Sequence, residues 1–275
     1  MSFFPENIYY MITTECNQRC TKCSHWKNKD ETDRLDTKKI INAVLGAPSI
    51  KELCIVGGEP LLFKDEITDI LKGTASTGVR TTIITNGVEL DSSFLKSVSG
   101  FNVHFVVSID TIDRKMWKFV RGGDSFDLVM NNLDNAVSLL RPEQLSIQSV
   151  LAKETEPFIE AVSEFAENRN IYHSIQSYIS EGFNGFWTPL DDQSEPVNMD
   201  KIRCFAAGRN ISIMQSGDVY TCFQQSWIKG CHAPIGNLKT GNIKQMIQSE
   251  YTDFVIQKMK ECNLSCKVLK CNCES

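Results

Sequence analysis

The apolar positions fall into short continuous runs separated by stretches with helical periodicity. Residues 8–13 (IYYMIT) form the first run and predict a strand. Runs at 53–56, 79–85, 103–109, 145–151 and 171–179 repeat it. The intervals read as helices. One begins at Thr37 behind an Asp36 cap, with Ile40, Ile41, Val44 and Leu45 on one face. Others cover 66–77, 91–98 with Asp91 as cap, 125–140 and 157–168. Six strand–helix alternations with fully apolar strands predict parallel pairing under a cover of helices. Six units are too few for a closed eight-stranded barrel. The expected fold is therefore α/β, a partial (β/α)6 TIM-like barrel with its chemistry at the carboxyl ends of the strands.

The organisation changes after residue 182. Residues 183–200 mix Gly, Pro, Asp and Trp without periodicity and read as a connector. Residues 211–214 and 219–222, joined through Ser216-Gly217-Asp218, predict a β-hairpin, and 243–259 a helix before a cysteine-dense tail. The expected division is a core over 1–182, the connector, and a small α+β unit (hairpin plus helix) over 201–275.

Charge narrows the function classes. Lys+Arg number 29 against Asp+Glu 34, with no basic run, which argues against nucleic acid as partner. The N-terminus lacks a signal-peptide pattern, and no run approaches the roughly 18 apolar residues of a spanning helix. A cytoplasmic protein without a membrane partner is expected. Eleven cysteines against four histidines are the anomaly. In a reducing compartment they favour iron–sulfur clusters first and all-cysteine zinc sites second. Cys16, Cys20 and Cys23 form an early group. Cys204, Cys222, Cys231, Cys262, Cys266, Cys271 and Cys273 form a late one, and Cys54 sits between them in an apolar strand as a small core residue.

Cys16-x3-Cys20-x2-Cys23 follows the first strand. Three thiolates can hold three irons of a cubane cluster and leave the fourth iron open to a chelating small molecule. The second strand ends in Gly57-Gly58-Glu59-Pro60, where paired glycines let backbone approach a ligand and Glu59 can accept from an ammonium. This combination resembles the radical S-adenosylmethionine (SAM) superfamily over about residues 6–180. The resemblance implies a [4Fe-4S] cluster on the three cysteines, S-adenosylmethionine on the open iron, and a 5′-deoxyadenosyl radical that takes a substrate hydrogen. It also implies a one-electron reductant such as flavodoxin or ferredoxin. Gly57, Gly58, Glu59 and Pro60 would hold the methionine amine. Ser108, Asp110 and Arg121 look like the segment that contacts ribose and the methionine carboxylate, and Asn86 is a further cofactor candidate. The family's aromatic residue before the third cysteine is here Lys22, with His25 and Trp26 just beyond.

Cys204-x12-Gly217-x4-Cys222 resembles the opening of the SPASM and Twitch extensions, which hold auxiliary [4Fe-4S] clusters. The tail, Cys262-x3-Cys266-x4-Cys271-x-Cys273, departs from full SPASM spacing. Cys262 and Cys266 are expected to join Cys204 and Cys222, with Cys271 or Cys273 able to replace either. A two-cluster arrangement stays open, as does a role for Cys231 as ligand, hydrogen-atom donor or spectator. A radical core with one such cluster looks like the aminocyclitol dehydrogenases, so the expected reaction is a two-electron oxidation of a small polyol. The alternative is crosslinking, epimerisation or side-chain oxidation of a ribosomal peptide or protein. Only fifteen residues precede Cys16, which leaves no room for a recognition module of roughly 80 residues there and favours the small molecule. No general base is identified. His173, Tyr178, Glu181, Phe186, Trp187, Arg203 and Arg209 fall near the junction of the two units, each with a structural reading beside the functional one.

Overall fold

The computed structural model describes residues 4–23, 25–27, 34–177 and 204–262. Its strands are β1 (Asn7–Thr13), β2 (Glu52–Gly57), β3 (Arg80–Thr85), β4 (Val103–Ser108), β5 (Leu145–Leu151), β6 (Tyr172–Ser177), β7 (Asn210–Ile213), β8 (Asp218–Tyr220) and β9 (Gly236–Asn237). Its helices are α1 (Thr37–Gly46), α2 (Lys64–Thr74), α3 (Ser92–Val98), α4 (Arg114–Arg121), α5 (Phe126–Leu139), α6 (Glu156–Glu167), α7 (Ile243–Ile247) and α8 (Glu250–Glu261). The strands form one sheet in the order β6-β5-β4-β3-β2-β1-β7-β8-β9. Neighbours from β1 to β6 run parallel, as continuous apolar strands joined by helices require. The sheet does not close, which agrees with the partial barrel expected from six units.

Alternation along each strand divides the side chains between two faces. Ile8, Tyr10, Ile12, Leu53, Ile55, Ile83, Phe105 and Ile147 pack with the helices in the main core. Tyr9 and Cys54 face the other way and form a separate cluster with Val56, Ile84 and Phe223. The helix-free face is thus an inner wall, apolar at mid-height. Its amino end is filled by satisfied polar pairs. Asn7 donates to Asn210 at 2.9 Å, and His104 sits between the Glu143 carbonyl and the Ser146 hydroxyl.

The hairpin continues this same sheet. β7 lies parallel to β1 in the register Asn7↔Asn210 to Tyr10↔Ile213, and β8 returns antiparallel beside it through the Gly217 turn. Two expectations need correction. Residues 114–121, which the pattern left unassigned between the strand over 103–109 and the helix over 125–140, are the helix α4. Asp113 caps it by accepting from Met116 N at 2.8 Å, and Gly122 ends it in the left-handed conformation. Only Trp117, Val120 and Arg121 of its eight residues are buried, too few for a visible apolar period. The helix expected over 243–259 is two, because Ser249 caps a new start by accepting from Thr252 N. Among the described residues no helix is long and apolar enough to cross a membrane.

Candidate active site

The cluster loop leaves β1 at Thr13 and is braced on three sides. From β2, Gly58 N donates to Thr13 O at 2.8 Å and Glu59 N to Glu15 O at 2.7 Å. This contact is so close that a Cβ on Gly57 would lie 2.3 Å from Thr13 O, and one on Gly58 2.0 Å from Glu15 O. The paired glycines are therefore required by the loop that carries the cysteines, not only by a ligand. From β3, Asn86 Nδ2 donates to Asn17 Oδ1 at 2.8 Å and lies 3.7 Å from Cys16 Sγ. From α4, the carbonyls of Val120 and Phe119 accept from Thr21 N and Thr21 Oγ1 at 3.0 and 3.1 Å.

Glu59 is fully buried and faces the protein. One carboxylate oxygen accepts from Thr85 Oγ1 at 2.7 Å and Leu61 N at 3.0 Å, and the other from Asn86 N at 2.8 Å. The expectation that it receives a ligand ammonium is thereby altered: its acceptors tie the end of β2 to the end of β3. Burial pushes its carboxyl up to about 7, against the downward pull of those three donors. The folded state then binds more protons than the unfolded state between the ordinary 4.5 and 7. Stability of the metal-free protein should fall across that interval as pH rises, by about 3 kcal/mol. Glu59→Gln should flatten this slope in thermal melts at pH 5 to 7.5. It should also cost about 1–3 kcal/mol, because its amide would face the Asn86 N–H.

The three thiols share one loop. Cys16 is pushed up to about 11, chiefly by burial, with Gln18 N–H pulling down and Glu59, Cys20 and Cys23 adding to the rise. Cys20 is also raised by burial, while Arg121 pulls it down. Among the described residues no three His, Cys, Asp or Glu side chains converge tightly enough for a single metal ion. Three thiols spread around one loop, beside a buried guanidinium, instead suit a multi-iron cluster that takes one thiolate per iron and displaces their protons.

Lys22, at the position where the resemblance predicts an aromatic residue, bridges to Glu154 beyond β5 at 2.7 Å. Trp26 donates its indole N–H to Cys20 O at 3.0 Å, which caps the loop. Asp110 and Arg121 form a buried ion pair at 2.7 Å, and Arg121 also donates to the Ser108 carbonyl at 2.7 Å. The Ser108 hydroxyl stands on the inner wall, paired in register with Gln148 of β5. Neither side chain has a hydrogen bond among the described residues. Gln148 escaped the sequence reading. Its signal was a carboxamide among the serines and aliphatics of the strand LSIQSVL.

Of the late cysteines, Cys204 and Cys222 lie toward the opposite end. β8 runs back toward the amino end of β1; Cys222 follows its end, and Cys204 precedes β7, whose Asn210 pairs with Asn7. They are about one strand length, roughly 20 Å, from the Cys16 loop. Phe223 turns inward onto Tyr9, ring centroids 6.0 Å apart. Cys204, Cys222 and Cys262 border the main core, and Cys231 is fully buried in it, close enough for Cys262 to raise its pKa alongside burial while Lys258 lowers it. Cys54 is buried as expected but is disulfide-bonded rather than a lone thiol. Cys266, Cys271, Cys273, Tyr178, Glu181, Phe186, Trp187 and Arg203 lie outside the described residues. His173 is held between Ser149 and Ser163 on the helix side, and Arg209 pairs with Glu6 at 3.0 Å, so both have structural occupations.

Comparison with known proteins agrees with this geometry. The profile of the Radical SAM superfamily matches residues 10–178. The chain is 27% identical over 240 residues to the GTP 3′,8-cyclase of Vibrio vulnificus, covering 82% of this chain and 60% of that protein. It is 30% identical over 146 residues to the probable GTP 3′,8-cyclase of Pyrococcus abyssi, covering 51% and 46%. The chain thus spans 60% or less of these curated relatives. Among solved structures, Streptococcus suis SuiB bound to S-adenosylmethionine superposes with a TM-score of 0.76 at 15% identity, covering 95% of this chain and 72% of that one. BtrN in complex with AdoMet and 2-DOIA gives 0.58 at 17% identity, covering 95% and 89%. At such identities the structural matches establish the fold.

Proposed function

The chain belongs to the Radical SAM superfamily, and on that premise we propose that it oxidises a secondary alcohol of a small polyol or aminocyclitol-type substrate. It is a radical SAM enzyme that uses a [4Fe-4S] cluster and S-adenosylmethionine. When bound, these would supply a 5′-deoxyadenosyl radical for hydrogen-atom abstraction, and a second cluster would accept the electron left on the substrate as the hydroxyl proton passes to solvent. Cys16, Cys20 and Cys23 hold the first cluster. Cys204, Cys222, Cys262 and Cys266 hold the second, with Cys271 and Cys273 as substitutes. Residues 1–182 form the radical core and 201–275 the cap, in a cytoplasmic protein served by a flavodoxin- or ferredoxin-like reductant.

The protein's own contributions are positional. Gly57 to Pro60 offer backbone carbonyls to the methionine amine, with Glu59 bracing the turn. Asn86 fixes the cluster loop. The Ser108 hydroxyl and the Gln148 carboxamide present open hydrogen-bonding groups at the top of the inner wall, where ribose or substrate hydroxyls would meet them.

The observation that carries the substrate class is the wall between the two cysteine groups. Tyr9, Cys54, Val56, Thr82, Ile84, Val106 and Gln148 face it without charge, while Glu52 and Arg80 stand on the same face at the amino ends of β2 and β3. A nucleoside triphosphate needs paired cations, and the middle of the described strands offers none. A neutral polyol needs only hydrogen-bonding groups and an apolar floor. The similarity to GTP 3′,8-cyclases over 82% of the chain favours a second reading, radical cyclisation of a purine nucleotide. One experiment separates them. Anaerobically reconstituted protein receives dithionite, S-adenosylmethionine and either aminocyclitols deuterated at the carbinol carbons or GTP deuterated at C3′ of the ribose. Deuterium in 5′-deoxyadenosine with one ketone formed per transfer is expected from an aminocyclitol. Transfer from GTP alone would replace the first reading with the second. Transfer from neither, with 5′-deoxyadenosine still released, points to a peptide substrate.

A further inference from the structure

The outer face of α4 lies against the cluster loop, and its charge runs against that of the chain. The chain carries a net charge of -5, yet the eight residues of α4 hold four cations and no acid. Arg121 is buried against Asp110, and Arg114 pairs with Asp127. Lys115 and Lys118 are exposed with no ion pair among the described residues. Phe119, one turn beyond Lys115, is 53% exposed. The helix is anchored to the loop at this same point. Thr21 N donates to Val120 O at 3.0 Å, and Thr21 Oγ1 to Phe119 O at 3.1 Å. A second ring lies on the loop itself. Trp26 donates its indole N–H to Cys20 O at 3.0 Å, with Arg19 and Lys27 at 5.5 and 5.4 Å from its ring centroid. Both of these cations are exposed. Arg19 also borders the end of α4, since a Cβ on Gly122 would lie 2.0 Å from Arg19 O. Two rings, each on a residue hydrogen-bonded to the cluster loop, are thus accompanied by four exposed cations. The acids Asp113 and Asp124 stand before and after the helix, and Asp113 is occupied as its cap.

We propose that this surface docks the protein that reduces the cluster, an acidic one-electron carrier of the flavodoxin or ferredoxin type. The inference rests on Cys16, Cys20 and Cys23 holding that cluster. Opposite charge steers such an encounter and raises its rate, while exposed rings supply the contact that holds it. Weak redox encounters bury little surface, so a patch of this size suffices. The position also serves the chemistry. One electron leaves the reduced carrier and one enters the cluster, with no proton exchanged. A carrier seated on Phe119 and Trp26 is separated from the cysteines by the loop that bears them. A single-stranded nucleic acid also takes cations and rings, but the acidic chain around this patch repels a long polyanion.

The test uses the reconstituted full-length protein under anaerobic conditions. Its affinity for oxidised flavodoxin and for a [4Fe-4S] ferredoxin is read by titration calorimetry. The rate at which each reduced carrier bleaches the cluster absorbance is read by stopped flow. Wild type should bind at least one carrier, more weakly as salt rises. Lys115→Glu/Lys118→Glu should slow reduction by that carrier about tenfold or more at low salt and weaken its binding in parallel. The difference should shrink in about 0.5 M salt. Phe119→Ala should weaken binding about fivefold or more at every salt concentration. Reduction by dithionite, which needs no docking, should match wild type in both variants. Lys244→Glu/Lys260→Glu makes the same change of charge on α7 and α8 and should behave as wild type. An equal loss in that control makes the effect one of net charge and overturns the proposal. Unchanged affinity and rate in the α4 variants overturn it as well, as does a wild type that binds neither carrier. A parallel loss with dithionite places the damage in the cluster site and refutes docking as its cause. Displacement of the bound carrier by an oligo(dT) strand that binds more tightly would give the surface to nucleic acid instead. A wild type that dithionite cannot reduce would remove the cluster assignment on which the inference stands.

Discussion

Gly58→Ala should give a protein that no longer holds iron on Cys16, Cys20 and Cys23. The added Cβ would sit 2.0 Å from Glu15 O and 2.5 Å from Thr14 O, and both obstacles are backbone. No flexible side chain can yield, so the end of β2 or the cluster loop must move by about 1 Å to reach normal contact. The loop is pinned elsewhere through Asn86 and Thr21, so its cysteines would be displaced relative to one another. A misplacement of this size costs on the order of a hundredfold in rate where geometry is critical, and the overlap itself costs about 1–3 kcal/mol of stability. Iron and sulfide analysis, thermal melting and 5′-deoxyadenosine release together read the effect. Gly123→Ala is the control, since a Cβ there meets nothing within 4 Å. Wild-type iron content and rate in Gly58→Ala would show that the close approach is dispensable.

The same contact shows where the sequence was legible and where it was not. The six strands, their parallel order, the Asp36 and Asp91 caps and the Gly217 hairpin follow from period and turn chemistry, which act over a few residues. The positions of Gly57, Gly58 and Glu59 at the end of β2 were equally clear. Their reason was not, because it depends on Thr13, Thr14, Glu15, Thr85 and Asn86, which approach only after the parallel sheet has formed. Arg121 is a similar case. The family resemblance marked it for a cofactor, but its partnership with Asp110 needs α4, and α4 buries too little apolar surface to leave a helical signature. Gln148 shows the reverse. A carboxamide in the middle of a strand was visible, yet only the division of the sheet into helix-covered and open faces gives it a direction. The extension of the sheet by β7 could not be read at all, since it pairs β1 with residues about two hundred positions later.

Replacing Cys204 and Cys222 together by alanine should separate radical formation from product formation. The two cysteines lie toward the amino end of β1, about 20 Å by strand geometry from the Cys16 loop. Their loss therefore leaves Gly58, Asn86, Thr21 and Arg121 in place around that loop. S-adenosylmethionine cleavage should persist within about threefold of wild type, and deuterium should still pass from the labelled substrate to 5′-deoxyadenosine. Ketone should fall to background, because the substrate radical would have lost its electron acceptor and could return only by regaining a hydrogen atom. Iron content should drop by about one four-iron cluster, while the EPR signal that responds to S-adenosylmethionine remains. Alanine at Cys16, Cys20 and Cys23 should do the opposite, abolishing cleavage and leaving a signal indifferent to S-adenosylmethionine. If ketone formation survives in the Cys204/Cys222 variant, the electron leaves by another route and the late cysteines serve structure alone. If cleavage is lost as well, the two ends of the sheet are coupled through β1 and β7. Phe223→Ala, which removes the ring packed on Tyr9 and keeps both cysteines, tests that coupling: it should leave iron content and cleavage unchanged unless the inner wall transmits strain between the two sites.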